Sequence, residues 1–227
     1  SLKAAIATGN TTLRSDAVVS HVIFDLHTRK ARGVGYIDRI NKTAHEVYGR
    51  IVVLCASTIE SVRILLHSTE RYQPGGLTDA SGTLGRFLMD HVSTSNFFFL
   101  PGFKQPAKPF DLSGCDSFFI PNFCNLKTQQ EDFLRGYGIW GGIQRFELPD
   151  ILYKVSEGAF GFLIAHGEVL PRFDNQIRLN SEVVDAWGIP VPHIECVWSE
   201  NENHMLTHMH AQIDEIIDKV GGKSMKL

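Results

Sequence analysis

The chain has 227 residues, 43% of them hydrophobic, with 22 lysines and arginines against 25 aspartates and glutamates, a formal charge of −3. That is enough chain for one large domain or two small ones with a true core, and it excludes disordered, collagenous and coiled-coil classes. With no basic excess to hold a phosphate backbone, nucleic acid is not an expected partner.

The four cysteines, Cys55, Cys115, Cys124 and Cys196, form no CxxC pair. A chain of this size needs no disulfide staples, so they read as buried or incidental thiols, in keeping with a reducing compartment. The longest apolar stretches, Ile51 to Ala56 and Phe97 to Pro101, fall short of the roughly 18 residues that cross a bilayer. The expectation is a soluble protein of cytoplasm or periplasm with no membrane span.

Val18, Val19, Val22, Ile23 and Phe24, a polar stretch from Asp25 to Arg32, and then Gly33 to Ile37 predict a β-hairpin. Ile51 to Ala56 is apolar at successive positions and predicts a third strand covered on both faces. Ile59, Val62, Ile64, Leu65 and Leu66 then recur at helical spacing behind a small Ser57-Thr58 cap. The glycine-punctuated connector from Gly75 to Gly85 places a domain boundary near residue 80. Beyond it, His91 to Leu100, Ser117 to Phe123, Tyr137 to Phe146 and Phe160 to Val169 read as aromatic-rich strands. Ile177 to Leu179 and His193 to Trp198 add two more, giving about six strands. Ser199 with Glu202 makes a capping box for an amphipathic helix along Leu206, Met209, Ile213, Ile216, Ile217 and Val220, stopped by Gly221-Gly222. The fold class expected is α+β, a hairpin, strand and helix over residues 1–80 followed by a roughly six-stranded, mostly antiparallel sheet backed by helices over 81–227.

Ile51 to Ser68, IVVLCASTIESVRILLHS, resembles the second signature of the GMC (glucose-methanol-choline) oxidoreductases, in which an apolar strand runs into Ala-Gly-x-x-x-Ser-Pro and a leucine-rich helix. Ala56, Ser61 and Ser68 match, while Ser57, Val62 and Thr69 stand where glycine, proline and glycine are usual. Ser81 to His91, SGTLGRFLMDH, is similar to the family's Gly-x-x-Leu-Met-Asp-His stretch at the family's spacing. Thr8 to Val19 with Gly33-Val34-Gly35-Tyr36 resembles its strand and Gly-Val-x-Tyr hairpin. Pro171 to Leu179 with Asp185 to Pro190 resembles a late substrate-domain segment, especially in sugar-oxidising members.

The resemblance implies the substrate-binding part of an FAD-dependent enzyme acting on the CH–OH group of a sugar, polyol or other alcohol. Residues 1–80 would be the periphery of its FAD-binding domain, with Val19 near the adenine and Ala56-Ser57 near the dinucleotide. The sequence contains no Gly-x-Gly-x-x-Gly turn between a predicted strand and a predicted helix, where it could approach a pyrophosphate. The family's proton-accepting histidine belongs to a segment beyond the equivalent of residue 220. The chain therefore reads as an internal portion, carrying no FAD and no catalytic residue of its own, and self-associating through an uncovered flavin-domain face. The alternative is a non-catalytic ligand-binding or scaffold protein that keeps the fold.

Four residues are substrate-site candidates. Trp140 and Gln144 lie an even number of residues apart beside Gly138, Gly141 and Gly142, so one strand face would offer an aromatic floor with room above it and a hydrogen-bonding group. Core packing accounts for Trp140 equally well. Glu168, with His166, follows the apolar Phe160, Phe162 and Ile164, surroundings that raise a carboxylate toward base function, although a salt-bridged edge residue is the plainer reading. His91 would orient substrate or be hydrogen-bonded at the domain junction. His204, His208 and His210 on the last helix include an i, i+4 pair of zinc-ligand spacing but lack completing ligands, so no metal is expected.

Overall fold

A computed structural model describes residues 2–72, 80–103, 117–121, 124–129, 132–143 and 158–225. Packing divides the chain into two compact units, Ser1–Leu88 with Arg172–Cys196, and Met89–Pro171 with Val197–Leu227. All described strand pairings are antiparallel, and the class is α+β.

In the first unit, helix α1 (Leu2–Ala7) precedes strands β1 (Ala17–Asp25), β2 (Lys30–Asp38) and β3 (Ala44–Tyr48), a sheet in that order. The hairpin forms where the β-branched run and the polar turn predict it, with Asp25 opposite Lys30. The third strand does not. Ile51 to Ala56 has no strand partner, and Ile51 and Val53 are 82% and 75% exposed. An all-apolar run becomes a buried strand only between neighbours that satisfy its backbone, and among the described residues none does.

Helix α2 (Thr58–Arg71) closes the edge of this sheet. β1 is an edge strand whose outer backbone groups would otherwise be bare, and α2 meets them with side chains: Val22 N–H donates to Ser68 Oγ at 2.9 Å, and His67 Nδ1 lies 2.9 Å from the Ser20 carbonyl. On its other side Arg63 donates to Asp185 Oδ2 (2.7 Å) and to the Ile189 and Pro190 carbonyls (3.0 and 2.7 Å). Those contacts bind the hairpin β8 (Gln176–Val184) and β9 (Pro190–Glu195) into this unit. The sequence assigned these two strands to the sheet beyond residue 80; among the described residues they pair only with each other, and the groups that hold them are on α2. By packing, residues 172–196 fall in the first compact unit and not with the rest of 81–227. Gly85, at φ +80°, lets its carbonyl accept from Ile177 N–H at 2.7 Å; a side chain there would run into the Ile177 carbonyl.

The second unit is a five-stranded sheet in the order β10-β4-β7-β6-β5, built from β4 (His91–Leu100), β5 (Ser117–Ile120), β6 (Tyr137–Ile143), β7 (Ala159–Glu168) and β10 (Lys223–Ser224). One face packs on helix α3 (Glu200–Lys219), whose Met205, Met209, Ile213 and Ile217 are at most 1% exposed. They meet Val92, Phe98, Tyr137, Ile139, Leu163 and Ala165 in a single core. The capping box forms as predicted, and Glu202 goes further: fully buried, it accepts from Ser199 N–H (2.7 Å), Ser199 Oγ (2.6 Å) and Leu170 N–H (3.0 Å). Val220, expected on the buried stripe, is 52% exposed.

Candidate functional site

Cross-strand register decides which residues share the sheet face turned away from α3. Side chains alternate along a strand, and the α3 core takes the even positions of β4 and the odd positions of β6 and β7. The other face carries His91, Ser93, Ser95, Phe97 and Phe99 of β4 against Glu168, His166, Ile164, Phe162 and Phe160 of β7. Trp140 continues the Ser95–Ile164 row, and Phe119 of β5 lies beyond it.

This face is graded. At one end Phe160 stacks on Phe97 with ring centres 5.7 Å apart, and Trp140 meets Phe162 edge-on at 5.0 Å. At the other, the His91 and His166 rings are 5.9 Å apart, and Ser93 lies opposite His166. An aromatic end for carbon and a hydroxyl- and imidazole-bearing end for oxygen is the composition a small polyol needs.

The sequence candidates fall on it unevenly. Trp140 is half-buried on this face; Gln144 lies outside the described residues. The glycines beside Trp140 do not leave open room as expected. A Cβ on Gly138 would come within 2.6 Å of the Phe119 ring, so a β5 side chain already fills that space; Gly141, on the α3 face, is packed against Phe118 and Leu163. Glu168 is exposed, not enclosed by the phenylalanines, and its nearest cation is Arg135, Nε 3.8 Å from Oε2. His91 is also exposed, its backbone N–H donating to Asp90 Oδ1 at 2.7 Å. His166, Ser93 and Ser95 complete the polar end. The alternation of Ser93 and Ser95 with Val92 and Thr94 is the signal that could have placed the serines there.

The histidines of α3 have separate structural duties. His208 Nδ1 is 2.8 Å from the Tyr137 hydroxyl, and its ring leans on Phe133. Burial lowers its basicity and raises the Tyr137 phenol above its ordinary value. His204 Nδ1 is 2.9 Å from the Asp132 carbonyl, and the His210 ring is 3.3 Å from Thr94 Oγ1. Among the described residues no group of three His, Cys, Asp or Glu side chains is placed to hold a metal ion. Cys55 and Cys196 are exposed and Cys124 is half-buried, while Cys115 lies outside the described residues.

In the first unit Val19 is half-buried opposite Tyr36, just before a bulge at Ser20. Ala56 and Ser57 are exposed at the amino end of α2, where Ser57 Oγ accepts from Glu60 N–H at 3.4 Å. Ser57 adopts φ 71°, ψ 166°, torsions that are almost exclusive to glycine.

The chain is 40% identical over 222 residues to a 2-methyl-1,2-propanediol dehydrogenase of Mycolicibacterium austroafricanum. It is 24% identical to both the fructose dehydrogenase large subunit of Gluconobacter japonicus and a paromamine 6'-oxidase of Streptomyces fradiae. The alignments take in 88%, 82% and 82% of this chain but only 38%, 36% and 34% of those proteins. These relatives are GMC-type oxidoreductases, and the chain is their homologue over most of its own length. It spans little more than a third of the length of these relatives. No family model matches it, and no described helix is long and apolar enough to cross a membrane. Identity is higher to the diol dehydrogenase than to the fructose dehydrogenase, whereas the sequence motifs pointed toward sugar-oxidising members.

Proposed function

We propose that this chain is the substrate-binding portion, with part of the flavin-binding periphery, of an FAD-dependent oxidoreductase that acts on the CH–OH group of a small alcohol. The observation that carries the reading is the 40% identity to a diol dehydrogenase across 88% of the chain. The graded face of the second unit agrees with it. Phe97 and Trp140, half-buried and packed on the buried Phe160 and Phe162, offer an apolar floor for the carbon skeleton, and Ser93, Ser95 and His166 offer groups that fix hydroxyls. His91 and Glu168 at the rim orient the polar end of the substrate.

The residues present fit one edge of FAD. Ser57 exposes a backbone with glycine-type torsions at the start of a 14-residue helix, whose dipole favours a diphosphate, and Val19 would lie toward the adenine. A bound flavin would supply the hydride acceptor for oxidation of the alcohol to a carbonyl. The role of this chain's residues is to hold the alcohol and exclude water from it. The substrate is accordingly a diol or polyol of low molecular mass.

The test is to express the complete reading frame and follow flavin absorbance anaerobically with 1,2-diols and with fructose. Bleaching by the diols, with a raised KM in Trp140→Ala and in Ser93→Ala and unchanged flavin content, supports the reading. A full-length protein that binds no flavin, or whose flavin no alcohol reduces, returns the chain to the non-catalytic alternative.

A further inference from the structure

At one end of the first unit's sheet, the start of β2 and the end of β3 line a cleft of about 500 Å³ formed by Lys30, Ala31, Arg32, Tyr48, Gly49 and Arg50. Its volume is in the range of small-ligand sites. Three of its six lining residues are cations, in a chain whose formal charge is −3. The concentration is therefore local and not a by-product of a basic protein.

Arg39, Arg63, Arg135, Arg178 and Lys219 each reach a carboxylate within 4 Å. Lys30, Arg32 and Arg50 form no ion pair among the described residues. Asp25 and Glu46 lie nearby and keep their charge, Asp25 close enough to Arg32 for that cation to join the Thr28 N–H in lowering its pKa, but neither makes an ion pair with the three cations. Asp25, opposite Lys30 in the hairpin, accepts the N–H groups of His27 and Thr28 at 2.9 Å each. Glu46 takes the hydroxyl of Tyr48, which holds that ring at the cleft. The backbone beneath is fixed as well, since Gly49 N–H donates to the Arg32 carbonyl at 2.9 Å and ties β3 to β2. Two guanidinium groups and an ammonium on a rigid hairpin present up to thirteen N–H donors and no acceptor, an arrangement suited to the oxygens of a phosphate group.

We propose that this cleft is an oxyanion site that takes a phosphate or diphosphate group. It shares no residue with the Ala56-Ser57 region and does not depend on the alcohol-oxidising reading. Free pyrophosphate and a nucleoside diphosphate offer the same charged group and differ in whether a base is there to lie on the Tyr48 ring.

Calorimetric titration of the 227-residue chain at low salt with pyrophosphate, and separately with ADP, tests this. Saturable one-to-one binding of pyrophosphate is expected, weakened at least ten-fold in an Arg32→Ala/Arg50→Ala double variant and unchanged in Arg39→Ala, whose arginine is already paired with Asp16. ADP binding more tightly than pyrophosphate, and returning to the pyrophosphate level in Tyr48→Leu, assigns the site to a nucleotide; equal affinities assign it to the phosphate group alone. No saturable binding, or binding that the double variant leaves intact while retaining the wild-type circular dichroism spectrum, overturns the proposal.

Discussion

The two units are held together by different means. The second owes its stability to a dry layer: one amphipathic helix lays Met205, Met209, Ile213 and Ile217 on alternate residues of the sheet's strands, and the polar exception, Glu202, is fully hydrogen-bonded. The first has fewer buried apolar groups and is pinned by side chains that reach backbone. Ser68 and His67 cap the edge of β1, and Arg63 ties α2 to a hairpin 122 positions away in sequence. A hydrophobic layer tolerates local adjustment, whereas a polar clamp fails when one member is lost. The contrast gives four measurable consequences.

The largest is expected at the centre of the dry layer. Met209 is wholly buried between α3 and the sheet, so Met209→Ala should destabilise the second unit by about 4 kcal/mol through lost transfer energy and a residual cavity. Hydrogen exchange should show protection falling in β4, β6 and β7 while β1 and β2 keep theirs. Equal loss in both sets would mean that the units unfold as one and that the comparison has no energetic content.

Glu202 gives a pH-dependent version of the same test. Burial by itself would raise this carboxyl, but donors from Leu170, Ser199 and Asn201 outweigh it and hold the group at about 2, below its ordinary 4.5. A depressed carboxyl contributes stability that is present above the unfolded value and is lost as pH falls from 4.5 toward 2. At neutral pH the contribution is about 3 kcal/mol. Urea denaturation of the second unit between pH 5 and 2.5 should therefore steepen in wild type and flatten in Glu202→Gln. A slope shared by both proteins would place the titration on other carboxylates.

The clamp in the first unit should be the next most costly to lose. The Arg63 and Asp185 side chains are only 12% and 16% exposed, so Arg63→Ala strands a carboxylate and two carbonyls and should cost about 2 kcal/mol. Limited proteolysis should then cut within β8 and β9 sooner, with the α3 segment unaffected. If Asp185→Asn costs as much as Arg63→Ala, the charge on the pair is what matters; if it is neutral, the carbonyl contacts carry the clamp.

The same contrast governs what the sequence made legible. α3, β4 and the β1–β2 hairpin are written in local patterns, a 3.6-residue stripe behind a capping box and β-branched runs about a polar turn, and each forms where those patterns place it. What failed was non-local. Nothing near Ile177 or His193 announces that Arg63 will claim their hairpin, and the apolar run from Ile51 to Ala56 encodes burial without encoding the neighbour that would supply it. On the sheet face turned away from α3, Trp140 and Glu168 could be assigned by alternation. The filling of the Gly138 space by Phe119 depends on which strand pairs with β6, and periodicity within one strand is silent about its neighbours.

The smallest expected effect is at Ser57, where the GMC pattern has glycine and this chain does not. At φ 71°, ψ 166° a residue with a Cβ costs about 1 to 3 kcal/mol. Ser57 recovers part of that by capping Glu60 N–H, although at 3.4 Å the bond is long. Replacing it with glycine removes the strain and loses a few tenths of a kcal/mol of capping. It also adds about 0.5 to 1 kcal/mol of unfolded-chain entropy, leaving Ser57→Gly about 1 kcal/mol more stable. Ser57→Ala keeps the Cβ and loses the cap, so it should be about 1 kcal/mol less stable than wild type. The pair of variants separates the two contributions: a gain with glycine and a loss with alanine locates the cost in the backbone. Loss in both would mean that the serine cap outweighs the backbone strain, and that the glycine usual at this position in the family serves something other than the torsion angles of the turn.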